Sequence, residues 1–176
     1  MKTALTIAGF DPTSGAGITA DLKVFHALKV YGIGIVSSLT AQNTLGITGI
    51  ESVPRLFVRE QMRGILDDIS PDAVKTGMIY EKDIIRIVCS EIDRGRIRNL
   101  VVDPVITSTS GKTLIKKDAI RALIDELIPR ALVVTPNIPE AGEITGMEIK
   151  DIDDMRRAAE RIQALGPEHV IITGGH

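Results

Sequence analysis

The sequence predicts a single α/β domain, built as a three-layer sandwich around a mostly parallel sheet. Short apolar runs alternate with longer stretches of helical periodicity, and this alternation is typical of βαβ units. Aromatic residues make up only 3% of the 176 residues, so the core must consist of Ile, Val, Leu and Ala, as in strands buried on both faces. Neither a repeat nor a linker interrupts residues 1–176, which we therefore treat as one domain.

The elements follow one another as this fold requires. Six strands are predicted from the apolar runs at 4–8, 33–39, 73–76, 100–102, 132–134 and 170–172. Apolar residues at helical spacing predict three well-marked helices, at 20–28, 84–92 and 152–162, and weaker ones at 56–69 and 119–127. Right-handed crossovers between parallel strands then place helices on both faces of the sheet.

Composition and charge exclude several classes of protein. A net charge of -2 and a pI near 5.9 give no basic surface for nucleic acid. The single cysteine, Cys89, lies in an apolar helical stripe and reads as a core residue in a reducing compartment. The apolar run before Asp11 is too short for a signal peptide or a membrane span. We expect a cytoplasmic protein whose partners are small molecules.

In a parallel sheet, ligands collect where the strands end. The residues that follow the predicted strands are polar or glycine, and they lie at 9–11, 40–42, 77–78, 103–104, 135–140 and 174–176. The carboxyl edge of the sheet is therefore the predicted site.

The first of these exits, IAGFDPTSGAGITADL, has the glycines of a phosphate-binding loop. A Walker A motif is absent, because the sixth position from Gly9 is Ser14 and no lysine follows it. The dinucleotide pattern at 15–20 lies several residues beyond the strand, and 33–50 contains no acid to hold a ribose before Glu51. In the structural alternative, the glycines allow close packing and Asp21 is a solvated residue near a helix start.

Five segments in one order and spacing carry a resemblance to a known family. They are Gly9-x-Asp11-Pro12-x-x-Gly15-Ala16-Gly17-Ile18-x-Ala20-Asp21-Leu22-Lys23, Thr40-Ala41-Gln42-Asn43-Thr44, Ala73-Val74-Lys75-x-Gly77-Met78, Asp103-Pro104-Val105 and Thr135-Pro136-Asn137-x-x-Glu140-Ala141. Together they closely resemble the hydroxymethylpyrimidine and phosphomethylpyrimidine kinases of thiamine biosynthesis, in the ribokinase-like superfamily. The resemblance covers the whole chain.

The resemblance implies ATP-dependent phosphorylation of 4-amino-5-hydroxymethyl-2-methylpyrimidine and then of its monophosphate. It places the pyrimidine alcohol at the first loop, with Gly9, and at Gln42. A carboxamide can both donate to and accept from an aminopyrimidine edge, and Asp21 can accept from the amino or hydroxymethyl group. Without the surrounding match, Gln42 would read as a polar loop residue that bonds backbone.

Two interpretations are open for each of three further residues in these segments. Met78 is either core or a wall for the pyrimidine ring, and Val105 is interpreted in the same way. Lys75, inside a predicted strand, is either a snorkelling residue or a charge at the site rim, and no role is assigned to it.

The phosphate side of the site is expected at Asn137 and Glu140, with Mg²⁺ held by Asp103 and Glu140. Structural alternatives remain for both carboxylates. Asp103 precedes a proline and can simply begin a turn, whereas Asn137 and Glu140 have the spacing of a capping box. Glu140 can serve both purposes.

No histidine is expected to be catalytic. His26 lies in the first helix and His169 precedes the last strand, while His176 falls at the predicted rim. A zinc site or a Ser-His-Asp triad has no support in this sequence.

The resemblance also implies a later Gly-x-Gly-Cys or Gly-x-Gly-Asp turn, which supplies the anion hole and, in most of the superfamily, the catalytic base. No such turn occurs in residues 1–176. We therefore expect that the C-terminal nucleotide-binding portion is missing from this chain, and that a chain ending at His176 is inactive by itself. The alternatives are a vitamin B6 kinase and a non-catalytic pyrimidine-binding module. Self-association into a homo-oligomer stays open.

Overall fold

The computed structural model describes residues 1–108 and 111–174. Seven strands form one sheet in the order β3-β2-β1-β4-β5-β6-β7. Every neighbouring pair is parallel except β2 and β3, which are antiparallel. The strands are β1 Thr3–Phe10, β2 Tyr31–Asn43, β3 Gly46–Ser52, β4 Ala73–Thr76, β5 Leu100–Val102, β6 Val133–Val134 and β7 His169–Val170. The predicted α/β architecture with a mostly parallel sheet is confirmed.

Of the six α-helices in the described residues, five lie where the apolar patterns predict a helix. The six are α1 Gly17–Ala27, α2 Arg55–Leu66, α3 Lys82–Asp93, α4 Lys117–Ala122, α5 Ile138–Thr145 and α6 Ile152–Gln163. After α4, the chain continues through a π-helical turn at Leu123–Leu127 and a short 3-10 turn at Ile128–Arg130. No helix in the described part of the chain is long and apolar enough to cross a membrane.

The core lies between the sheet and the helices and consists mainly of aliphatic side chains. The stripe of α3 is buried as predicted, through Ile84, Ile85, Val88 and Cys89. Burial raises the pKa of the Cys89 thiol to about 11, so this cysteine is a protonated core residue at neutral pH. Helix α1 approaches β2 so closely that a Cβ at Gly32 would lie 2.8 Å from a methyl group of Leu22.

Two elements were not predicted, for different reasons. Strand β3 contains two glycines among its seven residues and has no buried position, so its apolar pattern is weak. Helix α5 has only eight residues and contains both Pro139 and Gly142, which lower helix propensity. Its capping box was visible in the sequence, and Gly146 ends the helix with a φ of 68°.

The prediction of a buried strand at 170–172 is wrong. Only His169–Val170 pairs with β6, and Ile171 is 55% exposed. Strand β7 is the last strand of the sheet in the described part of the chain, so it has a neighbour on one side only. Val170 and Ile172 pack against the core but are only partly buried, so no residue of this apolar run is fully buried.

Candidate active site

A cavity of about 540 Å³ opens along the carboxyl edge of the sheet, where the sequence predicts a site. Its lining comes from the ends of β1, β2, β4, β5 and β6 and from the segment after β7. Seven of the eight predicted site residues line it, and they are Gly9, Gln42, Met78, Asp103, Val105, Asn137 and Glu140. Parallel strands bring these residues together from distant parts of the chain.

One end of the cavity is formed by β2 and the turn after β4. The Thr40 hydroxyl donates to Oε1 of Gln42 at 2.7 Å, which orients the carboxamide. The Gln42 amide nitrogen donates to no protein atom among the described residues, and it remains available to a ligand. Ser37 donates to the Met78 carbonyl at 2.7 Å and so fixes the segment that carries the Met78 side chain.

Gly9 has no room for a side chain at this end of the cavity. A Cβ there would lie 3.0 Å from the Ser38 hydroxyl oxygen and 3.3 Å from the Met78 sulfur. Glycine therefore lets the end of β1 pack against Met78.

In the glycine-rich loop after β1, the carboxylate of Asp11 binds the backbone N–H groups of the loop itself. Asp11 is 4% exposed and accepts hydrogen bonds from the backbone N–H groups of Thr13, Gly15 and Ala16 and from the Thr13 hydroxyl. Burial alone would raise the pKa of the Asp11 carboxyl, but these hydrogen bonds together hold that pKa below its ordinary value. The N–H groups at 13, 15 and 16, which could otherwise bind a phosphate, are therefore already used.

Gly17 joins this loop to α1 in a conformation that excludes other residues. Its φ is +59°, and a Cβ would lie 2.3 Å from the carbonyl oxygen of Gly9. The backbones of Gly9 and Gly17 thus approach each other where no side chain would fit.

Asp21 is the predicted site residue that does not line the cavity. Its Oδ2 accepts from the Thr6 hydroxyl at 2.6 Å, and both of its oxygens lie 3.1 Å from the Lys75 ammonium. The same ammonium lies 3.3 Å from Asp103 and lines the cavity. Asp21 thus lies behind Lys75 rather than at the cavity wall, because α1 packs against β1, and β1 is the neighbour of β4.

The sequence left Lys75 open, as either a snorkelling residue or a charge at the site rim, and the structure places it in the cavity lining. The signal was its place in β4, a strand whose other residues are two apolar side chains and a threonine. Residues two apart in an extended segment lie on the same side of the sheet, and Lys75 and Gly77 both line the cavity. A lysine in such a strand needs carboxylate partners, but local spacing does not reveal which ones.

Glu140 forms the predicted capping box. Asn137 Oδ1 accepts from the Glu140 N–H at 2.9 Å, and Glu140 Oε2 accepts from the Asn137 N–H at 3.0 Å. The other carboxylate oxygen accepts from the Ile106 N–H at 3.3 Å. The side chain is therefore both a helix cap and a link between α5 and the segment after β5.

The carboxylates of Asp103 and Glu140 are both partly removed from solvent. Burial raises the pKa of Glu140, the hydrogen bonds from Asn137 and Ile106 lower it, and the charge of Asp103 raises it further. Burial also raises the pKa of Asp103, against the lowering effect of Lys75. No group of three or more His, Cys, Asp or Glu side chains that could hold a metal occurs in residues 1–108 and 111–174.

The histidines contribute nothing to the described cavity. His26 and His169 are exposed and do not line it. The prediction that His176 falls at the rim lies outside the described residues, as does Gly175.

The sheet order and the cavity at its carboxyl edge define the class of the protein, a ribokinase-like α/β fold. A crystal structure of phosphomethylpyrimidine kinase from Clostridium difficile 630 superposes with a TM-score of 0.93 at 45% identity, over 100% of this chain and 76% of that one. Bacillus subtilis pyridoxal kinase in an ADP complex superposes with a TM-score of 0.89 at 39% identity, over 99% and 66% of the two chains.

Within this fold, the chain can also be assigned to a family. Residues 11–176 match the family described as phosphomethylpyrimidine kinase, and the chain belongs to that family. The hydroxymethylpyrimidine/phosphomethylpyrimidine kinase of Bacillus subtilis (strain 168) is 44% identical over 173 residues, which are 98% of this chain. The chain spans 64% of the length of that relative. The resemblance drawn from the five sequence segments is thereby confirmed.

Proposed function

We propose that the full-length protein transfers the γ-phosphate of ATP first to 4-amino-5-hydroxymethyl-2-methylpyrimidine and then to its monophosphate. The observation that carries the proposal is one continuous cavity whose lining includes Gln42 and Met78 as well as Asn137 and Glu140. Membership of the phosphomethylpyrimidine kinase family supports it. The place of such a reaction is the biosynthesis of thiamine, in the cytoplasm.

The pyrimidine half of the proposed site uses the β2 and β4 ends. The free amide N–H groups of Gln42 donate to a ring nitrogen, and its Oε1 retains a lone pair for the exocyclic amino group. Met78 and Val105 supply apolar contact to the ring faces, and Gly9 allows the ring to approach the backbone of β1. Asp21 acts at this end through Lys75, whose ammonium it holds.

The phosphate half uses the ends of β5 and β6. Asp103 and Glu140 fit Mg²⁺, because both are partly desolvated carboxylates that line the cavity, and they are close enough for the charge of Asp103 to raise the pKa of Glu140. No ammonium or guanidinium group of the described chain pairs with Glu140. Each Glu140 oxygen accepts only one backbone hydrogen bond, so each keeps a lone pair. When bound, the ion would offset charge on the triphosphate. Asn137, beside them, would contact the nucleotide phosphates.

The transfer itself needs little covalent chemistry from the protein. The acceptor oxygen forms a bond to the γ-phosphorus, the bond from that phosphorus to the β–γ bridging oxygen breaks, and its electron pair leaves with ADP. The hydroxyl proton passes to a base. We assign neither base nor anion hole to residues 1–176 and propose that the family's Gly-x-Gly turn, in the nucleotide-binding portion beyond them, supplies both.

A vitamin B6 kinase is the second candidate, because Bacillus subtilis pyridoxal kinase shares the fold at 39% identity. The two functions predict different preferred acceptors. The decisive experiment incubates the full-length protein with MgATP and either hydroxymethylpyrimidine or pyridoxal, and follows ADP release together with the mass of the products.

We expect hydroxymethylpyrimidine to gain one and then two phosphates, with the larger kcat/KM for the pyrimidine. Chelation of Mg²⁺ should stop the reaction. Phosphorylation of pyridoxal alone would replace the proposal with the B6 function. Binding of the pyrimidine without ADP release would favour a non-catalytic module.

A further inference from the structure

Lys75 lines the cavity, yet the transfer described above assigns it no contact with substrate. Its strand, β4, is the middle strand of the sheet, between β1 and β5. Among the described residues that line the cavity, Lys75 carries the only basic side chain. Its side chain is 23% exposed, so the ammonium is partly desolvated but still reachable.

The position of the ammonium is built by its neighbours. Asp21 contacts it through both oxygens at 3.1 Å, and Thr6 holds Asp21 in turn. Gly77 leaves the necessary space, because a Cβ there would lie 3.2 Å from the Lys75 nitrogen and 3.1 Å from the Cβ of Ala8. Lys75 is therefore aimed into the cavity by packing as well as by charge.

The contact of Lys75 with Asp103 is weaker than its contact with Asp21. The Asp103 contact is single and 3.3 Å long, and the Asp103 side chain is 34% exposed, compared with 17% for Asp21. An incoming anion can therefore replace Asp103 beside Lys75 while Asp21 continues to hold the ammonium. Asp103 would then be free to face the phosphate end of the cavity.

The second phosphorylation poses an electrostatic problem that the first does not. A phosphate monoester carries a charge of about -1.5 to -2 at pH 7, whereas the alcohol is neutral. The other ionisable side chains of the described cavity lining are the carboxylates Asp11, Asp103 and Glu140. A monoester that reaches from the pyrimidine end toward the nucleotide end passes β4, where Lys75 is the available cation.

We propose that Lys75 binds the phosphate of the monophosphorylated acceptor and so determines specificity for the second phosphorylation. The inference rests on the proposed function and adds a role that the first phosphorylation does not require. Because the alcohol has no phosphate, its affinity should be nearly independent of the Lys75 charge.

The test measures calorimetric dissociation constants for the alcohol and for its monophosphate with the full-length protein, without nucleotide. In Lys75→Met, the affinity for the monophosphate should fall about 10- to 100-fold, the range of a lost charge-assisted hydrogen bond, while the affinity for the alcohol stays within about threefold. Lys75→Arg should restore part of the loss. Salt should weaken monophosphate binding in the wild type more than in Lys75→Met.

Two controls distinguish a direct contact between Lys75 and the phosphate from a general effect of charge. Lys82→Met removes a lysine whose partner is Asp118 on the surface, at 2.8 Å, and should change neither affinity. The double variant Asp21→Asn with Lys75→Met keeps the net charge of the site, and its monophosphate affinity should remain low. Melting curves confirm that each variant is folded.

An equal loss of affinity for both ligands in Lys75→Met, or unchanged monophosphate affinity, would overturn the inference. Recovery of monophosphate binding in the double variant would do the same, because it would show that net charge and not contact matters. A wild-type protein that binds neither ligand would overturn the proposed function, and this inference with it.

Discussion

Replacing Glu140 with glutamine separates the structural role of this side chain from its proposed metal role. In the wild type, two different backbone N–H groups, those of Asn137 and Ile106, donate to the two carboxylate oxygens. Glutamine has one oxygen and one NH2 group. In either orientation, the NH2 group faces one of these two N–H groups, so that backbone donor loses its partner.

The magnitude follows from these contacts. A buried donor without a partner costs about 1–3 kcal/mol. Glutamine carries no charge, so the cost of desolvating the carboxylate disappears and offsets part of this loss. We expect Glu140→Gln to lower the free energy of unfolding by about 1–2 kcal/mol, or the melting temperature by about 2–8 °C for a protein of this size. This estimate differs from the near-neutral effect that a capping box alone predicts, because the hydrogen bond from Ile106 was not visible in the sequence.

The pH dependence has a definite sign. Because burial raises the folded-state pKa of Glu140 above 4.5, the folded protein binds this proton more tightly than the unfolded chain does. The stability contributed by the proton is fully present below 4.5 and is lost as the pH rises through the folded pKa. Glu140→Gln lacks this term, so its deficit in stability should be larger near pH 4.5 than at pH 8.

The assay combines thermal melting at several pH values with Mg²⁺-dependent ATP binding by the full-length protein. Asp151→Ala is the matched control, because Asp151 caps α6 by accepting from the N–H groups of Asp153 and Asp154, and none of these residues lines the cavity. It should cost about 1 kcal/mol of stability and leave ATP binding unchanged. Glu140→Gln should lose stability and should also lose Mg²⁺-dependent ATP binding.

Two results would refute this reasoning. A melting temperature for Glu140→Gln within about 1 °C of the wild type at pH 8, while Asp151→Ala is destabilised as expected, would show that the two N–H groups do not depend on a carboxylate. Unchanged Mg²⁺-dependent ATP binding by a destabilised Glu140→Gln would leave Glu140 a purely structural residue.

Three further predictions concern ligand binding, the first loop and the amino terminus. Gln42→Ala should weaken binding of hydroxymethylpyrimidine by about 1–3 kcal/mol for each hydrogen bond lost, and unchanged affinity in calorimetry would remove Gln42 from the site. Gly17→Ala should destabilise the fold by more than about 2 kcal/mol, whereas Gly64→Ala, in an open position of α2, should stabilise it slightly; equal melting temperatures would contradict the strained geometry. The hydrogen bond from Lys2, together with those from the next residue, lowers the pKa of Asp72 to about 2, so this carboxylate contributes stability that is lost as the pH falls from 3.8 to about 2. Asp72→Asn should therefore show a shallower acid transition, and an unchanged one would exclude this carboxylate as a cause.

Local patterns in the sequence were enough to predict the architecture and the edge of the sheet that carries the cavity. Buried aliphatic runs alternating with amphipathic helices leave few arrangements other than a parallel α/β sheet. The same order places every strand exit at one edge, so that Gln42, Asp103 and Glu140 could be grouped without knowledge of any distance. Their roles as ligands stay predictions.

The tertiary structure alone decided which charged groups meet. Strand β4 lies between β1 and β5, and this order brings Asp21, in the helix after β1, and Asp103, directly after β5, to the same ammonium, that of Lys75. The three residues are widely separated in sequence. Periodicity reports which face of an element a side chain occupies, but not which element lies opposite. The neighbours of a strand are set by the packing of the whole sheet, and for that reason the carboxylates that hold Lys75 could be identified only in the folded chain.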